Sequence, residues 1–85
     1  MKKFTVKVTV MLKKSVLDPQ GAAVERALKA HGHHEPVSVR IGKVIELTLN
    51  GENAAAAEKK AAEWADSFLA NPVMETFALS VEESE

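Results

Sequence analysis

The sequence lacks cysteine altogether. Disulfides, zinc-thiolate sites and thiol catalysis are therefore excluded. It also lacks an apolar run near the roughly 20 residues that span a bilayer as a helix. Its opening stretch, MKKFTVKVTVMLKK, is interrupted by Lys7 and followed by no small-residue cleavage site, so it is not read as a signal peptide. The expectation is a cytoplasmic protein. Charge of one sign is lacking too: the formal net charge is −1, which gives no global attraction to nucleic acid. Aromatic residues are scarce, at 5%.

What is present suits one small domain, residues 1–85. A domain of this size buries only about 60–65% of its unfolded surface, so self-association would help it. The charges are unevenly placed. Residues 1–43 hold nine Lys/Arg and three Asp/Glu, and residues 44–85 hold two and nine.

Residues 4–12 alternate, with Phe4, Val6, Val8, Val10 and Leu12 on one side, the pattern of a half-buried strand. In "LDPQG", residues 17–21, Asp18 is a helix cap and Pro19 suits the first helical position. Val24, Ala27, Leu28 and His31 then fall on one helical face, and Gly32 supplies the stop. Val37, Val39 and Ile41 alternate as a second strand, and Ile45, Leu47 and Leu49 as a third, with Gly42-Lys43-Val44 as the hairpin loop. "NGEN", residues 50–53, is a turn with Asn53 as cap of an alanine-rich helix. Ala57, Ala61, Trp64, Ala65 and Phe68 share one face of it, and Asn71-Pro72 ends it. A last strand carries Val73, Glu75, Phe77, Leu79 and Val81 on one face.

The order β-α-β-β-α-β predicts an α+β, ferredoxin-like two-layer sandwich. Right-handed crossovers put both helices on one face of an antiparallel sheet in the order 4-1-3-2. The expected register of the outer pair sets Phe4 against Val81, Val8 against Phe77, Lys3 against Glu82 and Met11 against Met74. Basic first strand then meets acidic last strand, which accounts for part of the charge asymmetry. The sheet face away from the helices carries Met11, Val44, Met74 and Ala78 among Thr and Lys, and is the expected homo-oligomer surface.

Few residues offer chemistry. His31, His33 and His34 form a cluster, but with Glu35 as the only nearby acid and a helix-end position they read as a solvated loop rather than a metal site. No serine has a paired base visible in the sequence. An RNA-binding sheet would need aromatics on its open face, and Phe4 and Phe77 point to the helices. An acylphosphatase-like enzyme would carry an arginine in the loop after the first strand, and "KKSVLDPQG" has none. An ACT-like regulatory domain that binds a small molecule remains open. "LDPQG" and "VRIGK" place Asp18, Gln20, Arg40 and Lys43 outside the core, as either a cap and a charged hairpin tip or a contact surface.

"LDPQG" at 17–21, "VRIGKVIEL" at 39–47 and "LANPVME" at 69–75 resemble, in this order and spacing, the PurS family. That family is the small subunit of phosphoribosylformylglycinamidine synthase, and the resemblance covers essentially the whole chain. It implies a subunit of an ATP-dependent, glutamine-using ligase complex of purine biosynthesis, with no catalytic residues, cofactor or metal of its own. It implies a bridge between a synthetase subunit and a glutaminase subunit that supports ammonia transfer. It also implies a homo-oligomer, dimer or tetramer. Asp18, Gln20, Arg40 and Lys43 lie in the matching motifs and become partner-interface candidates; Met11, Val44, Met74 and Ala78 become homo-oligomer candidates.

Overall fold

The computed structural model describes residues 1–36 and 38–84. Strand β1 spans Lys2–Leu12, helix α1 Pro19–Ala30, strand β2 Gly42–Gly51, helix α2 Ala54–Trp64 and strand β3 Glu75–Ser84. A single π-helical turn, Ala65–Leu69, extends α2. The fold is α+β, and its antiparallel sheet has the order β2-β1-β3.

β1 is central because its alternation is the strongest in the chain. Phe4, Val6, Val8 and Val10 are buried under α2 and its π-helical extension, which present Ala57, Ala61 and Ala65 to them. Small side chains let the helix lie close to the sheet. Ile45, Leu47 and Leu49 of β2 and Phe77, Leu79 and Val81 of β3 flank this core but stay partly exposed. Asn53 caps α2, its Oδ1 accepting from the Ala56 N–H at 2.8 Å. Asn71 shapes the turn before β3, its carbonyl accepting from Met74 and Glu75 and its side-chain oxygen from Val73.

Several expectations are corrected. The described residues 38–41 carry no strand, Val37 lies outside the described residues, and the sheet has three strands rather than four. Residues expected as a hairpin loop instead begin β2, with Gly42 opposite Met11. The reason is parity. Odd-numbered residues share one face whether a three-residue loop separates two strands or a single strand runs through.

The outer register differs as well. Val6 faces Val81, Val8 faces Leu79, Val10 faces Phe77 and Leu12 faces Glu75, two residues from the expected alignment. A two-residue shift leaves every side chain on its face, so alternation cannot detect it. It gives Val10 an aromatic partner in place of Glu75. Lys3 faces Ser84, Met11 faces Thr76, and the basic–acidic pairing survives as Lys2–Glu83 at 3.6 Å. Met74 sits in the turn before β3, not across from Met11.

Trp64 and Phe68 are exposed, Phe68 by 70%, rather than packed beside the alanines. The π turn explains Phe68. Its Ala70 N–H reaches back to the Ala65 carbonyl at 2.9 Å, the wider loop carries one extra residue, and Ala70 becomes the buried one. Finally, α1 does not lie on the sheet. Among the described residues it has no more than marginal contact with any strand or with α2. The molecule is accordingly elongated, 51 × 29 × 14 Å, with a radius of gyration of 16.4 Å. A compact chain of this length would have about 12 Å.

Candidate functional site

The three motifs singled out in the sequence converge on one end of the sheet. β1 ends there at Leu12, β2 begins there at Gly42, and β3 begins there at Glu75. The Lys13 N–H donates to the Met74 carbonyl at 2.8 Å, tying the loop after β1 to the turn before β3.

Asp18 is the centre of this junction. One carboxylate oxygen accepts from the Gly21 N–H at 2.9 Å and so caps α1. The other accepts from the Ile41 N–H at 2.9 Å and so holds the segment that leads into β2. The Gly21 bond, the Ile41 bond and the nearby Arg40 charge together hold the carboxyl below its ordinary value, against an opposing effect of burial. Gly21 is required at this spot. A β-carbon there would meet the Val39 carbonyl oxygen at 2.5 Å and the Asp18 carboxylate at 2.6 Å. Arg40 turns back and donates to the Leu12 carbonyl.

The four interface candidates are thus brought together, on two sides of one junction. Asp18, Gln20 and Lys43 line a cavity of about 350 Å³ with Val10, Leu12 and Ile41 behind them. Arg40 lies on the other side, in hollows it shares with Lys13, Lys14, Val16 and Ser38. Sequence reasoning passed over Lys13 and Lys14; their place directly after β1 was the available signal. The side chains of Gln20 and Lys43 are exposed and have no hydrogen-bond or ion-pair partner among the described residues.

The homo-oligomer candidates are less united. Val44 and Ala78 lie on the open face either side of Thr9, since Thr9 pairs with both. Met11 is one row along, packed over Gly42. Met74 stands apart in its turn. The histidines lie at the far end of α1. Gly32 has φ of 87°, and the His33 N–H returns to the Leu28 carbonyl at 2.9 Å, a left-handed helix stop. Among the described residues, no three His, Asp or Glu side chains are grouped to hold a metal ion. Among the described residues, no helix is long and apolar enough to cross a membrane.

Comparison with known proteins gives one consistent result. Residues 5–83 match the model of the family described as PurS: Phosphoribosylformylglycinamidine (FGAM) synthase. The chain is 44% identical over 80 residues to the phosphoribosylformylglycinamidine synthase subunit PurS of Bacillus subtilis, covering 94% of each. It is similar to the solved PurS of Thermus thermophilus, at 44% identity and a TM-score of 0.87, covering 98% of this chain and 99% of that one. It also matches a chain in the structure of PurLQS from Thermotoga maritima, at 30% identity and a TM-score of 0.82, covering 99% and 100%.

Proposed function

Because the chain belongs to the PurS family, we propose that it is the non-catalytic assembly subunit of a phosphoribosylformylglycinamidine synthase complex in purine biosynthesis. In this reading it bridges the ATP-dependent synthetase and the glutaminase, supports ammonia transfer between them, and works in the cytoplasm as a single domain without cofactor. The partner surface is the junction of Asp18, Gln20, Arg40 and Lys43. The observation that carries this is convergence: three separated motifs meet at one sheet end and leave Gln20 and Lys43 with no duty in the core. Interface arginines and their neighbours are frequent anchors, and truncating one costs about 2 kcal/mol or more of binding. The open face with Met11, Val44 and Ala78 is a second surface, suited to association between copies.

Reconstitution with the two partner subunits tests the proposal. Glutamine-dependent amidine formation should require this chain. A Gln20→Ala/Arg40→Ala variant should stay folded and lose glutamine-dependent turnover, while turnover with added ammonia falls less. Full activity without the chain would overturn the role. Full activity of the variant with both nitrogen sources would remove the junction from it.

A further inference from the structure

The apolar face of the sheet ends in two opposite charges. At the Asp18 end, Lys43 of β2 stands across from Val10, and Glu75 of β3 stands across from Leu12. Residues directly opposite on antiparallel strands share a face. Both side chains therefore leave the sheet on the side of its core, with β1 between them. Two strand spacings and two residues of rise set their Cα atoms about 12 Å apart. Neither joins an ion pair among the described residues. One Glu75 oxygen accepts from the Asn71 N–H at 2.6 Å. The other oxygen and the Lys43 ammonium are left without a partner among the described residues.

The cavity of about 350 Å³ opens between these two charges and is lined by both. Its floor is apolar, made by Val10, Leu12 and Ile41. The Gln20 amide stands at its side, also unpartnered among the described residues. Asp18 adds no free acceptor to it, because both carboxylate oxygens already hold backbone N–H groups. Small-molecule sites have volumes of about 300–1,000 Å³ and set a few polar groups around an apolar floor. This cavity has that size and that make-up.

Inward charges on edge strands also discourage edge-to-edge pairing of sheets. That duty is met by either sign and asks for no space between the charges. A cation and an anion on either side of an apolar floor, with room between them, match a molecule of the inverse pattern. Such a molecule carries a carboxylate, an ammonium group and a short apolar chain on one carbon.

We propose that this cavity binds a free aliphatic α-amino acid. Lys43 takes its carboxylate, the free oxygen of Glu75 takes its ammonium group, and its side chain rests on Val10, Leu12 and Ile41. Gln20 donates or accepts at the mouth. The charged groups stay in reach of water and the ligand is small, so the dissociation constant is on the order of 1 mM. The site lies within one chain and needs no other subunit. Its failure and the failure of the assembly role are therefore separate results.

The test titrates the isotope-labelled full chain with L-leucine and follows backbone amide shifts by NMR. Saturable shifts at Gln20, Ile41, Lys43 and Glu75 are expected. Three analogues are titrated beside it: isocaproate lacks the ammonium group, isoamylamine lacks the carboxylate, and glycine lacks the side chain. Each should bind at least about tenfold more weakly, having lost one charge-assisted contact or the apolar one. No shifts, or shifts centred elsewhere, would overturn the proposal. So would an analogue that binds as well as leucine, because the group it lacks would then be idle. Lys43→Met and Glu75→Gln should each weaken leucine binding at least about tenfold, and the second keeps an oxygen for the Asn71 N–H. Unchanged affinity in either folded variant would overturn the site as assigned. The analogue series uses the unaltered protein, so it decides even where a variant fails to fold.

Discussion

The carboxylate of Asp18 accepts from the backbone of a helix and from the backbone leading into a strand. Asp18→Asn keeps one capping oxygen but loses the charge and one acceptor, so it should unfold at lower urea concentration than the wild type at pH 7. The folded-state pKa is lowered, so the charge adds stability that is present above the unfolded value and lost as pH falls through the folded value. The gap between wild type and Asp18→Asn should therefore narrow below about pH 4, in urea titrations across pH. A gap that is constant with pH would deny the charge its role. Gly21→Ala sets two effects against each other. Alanine in a helix gains about 1 kcal/mol over glycine, while forcing a methyl group against fixed atoms costs about 1–3 kcal/mol. The neighbours here are a backbone carbonyl and the capping carboxylate, so the clash should win and the denaturation midpoint should fall. The cap and Pro19 were legible in the sequence. The Ile41 bond was not, because nothing local marks a partner 23 residues away.

Elements showed which patterns carry information about packing and which do not. Alternation in β1 identified its buried face correctly, as Phe4, Val6, Val8 and Val10 confirm. Alternation could not separate the expected hairpin from a strand that begins only at Gly42, nor resolve the two-residue register step of β3, because both preserve parity. The alanine ridge of α2 was legible, but the π turn that expels Phe68 was not, because it depends on how the helix end meets the sheet. The ridge is also where α2 is most sensitive. Ala61 is fully buried, so Ala61→Leu should push the helix from β1 and lose about 1–3 kcal/mol in chemical denaturation. The same change at exposed Ala55 should shift stability by about 0.5 kcal/mol or less.

At the scale of the whole molecule, the sequence pattern implied two helices on one sheet, and the chain by itself covers the sheet with one. Local periodicity identifies α1 as amphipathic but cannot say whether it packs on the sheet of its own chain, and here it does not. The motifs were legible as a set; their meeting at one end of the sheet needed the three-dimensional path. The histidine loop lies beyond the C-terminal end of α1, away from that junction. His31→Ala/His33→Ala/His34→Ala should leave reconstituted activity and metal content unchanged, the latter by elemental analysis after chelator washing. Val44→Lys/Ala78→Lys puts like charges on the open face, where burying them unpaired costs several kcal/mol, about 3–5. If four copies assemble through that face, sedimentation should then stop at two.

The thinness of the protomer, 14 Å along its short axis, has a thermodynamic consequence. A layer this slight leaves little to hold a lone copy together, so if copies associate through the proposed open face, folding and association become one equilibrium governed by mass action. Dilution alone should act as a denaturant. In scanning calorimetry the unfolding temperature should climb as protein concentration is raised, whereas a self-sufficient monomer would melt at one temperature throughout. In a cell, the amount of chain synthesised would then decide what fraction of it is folded at all.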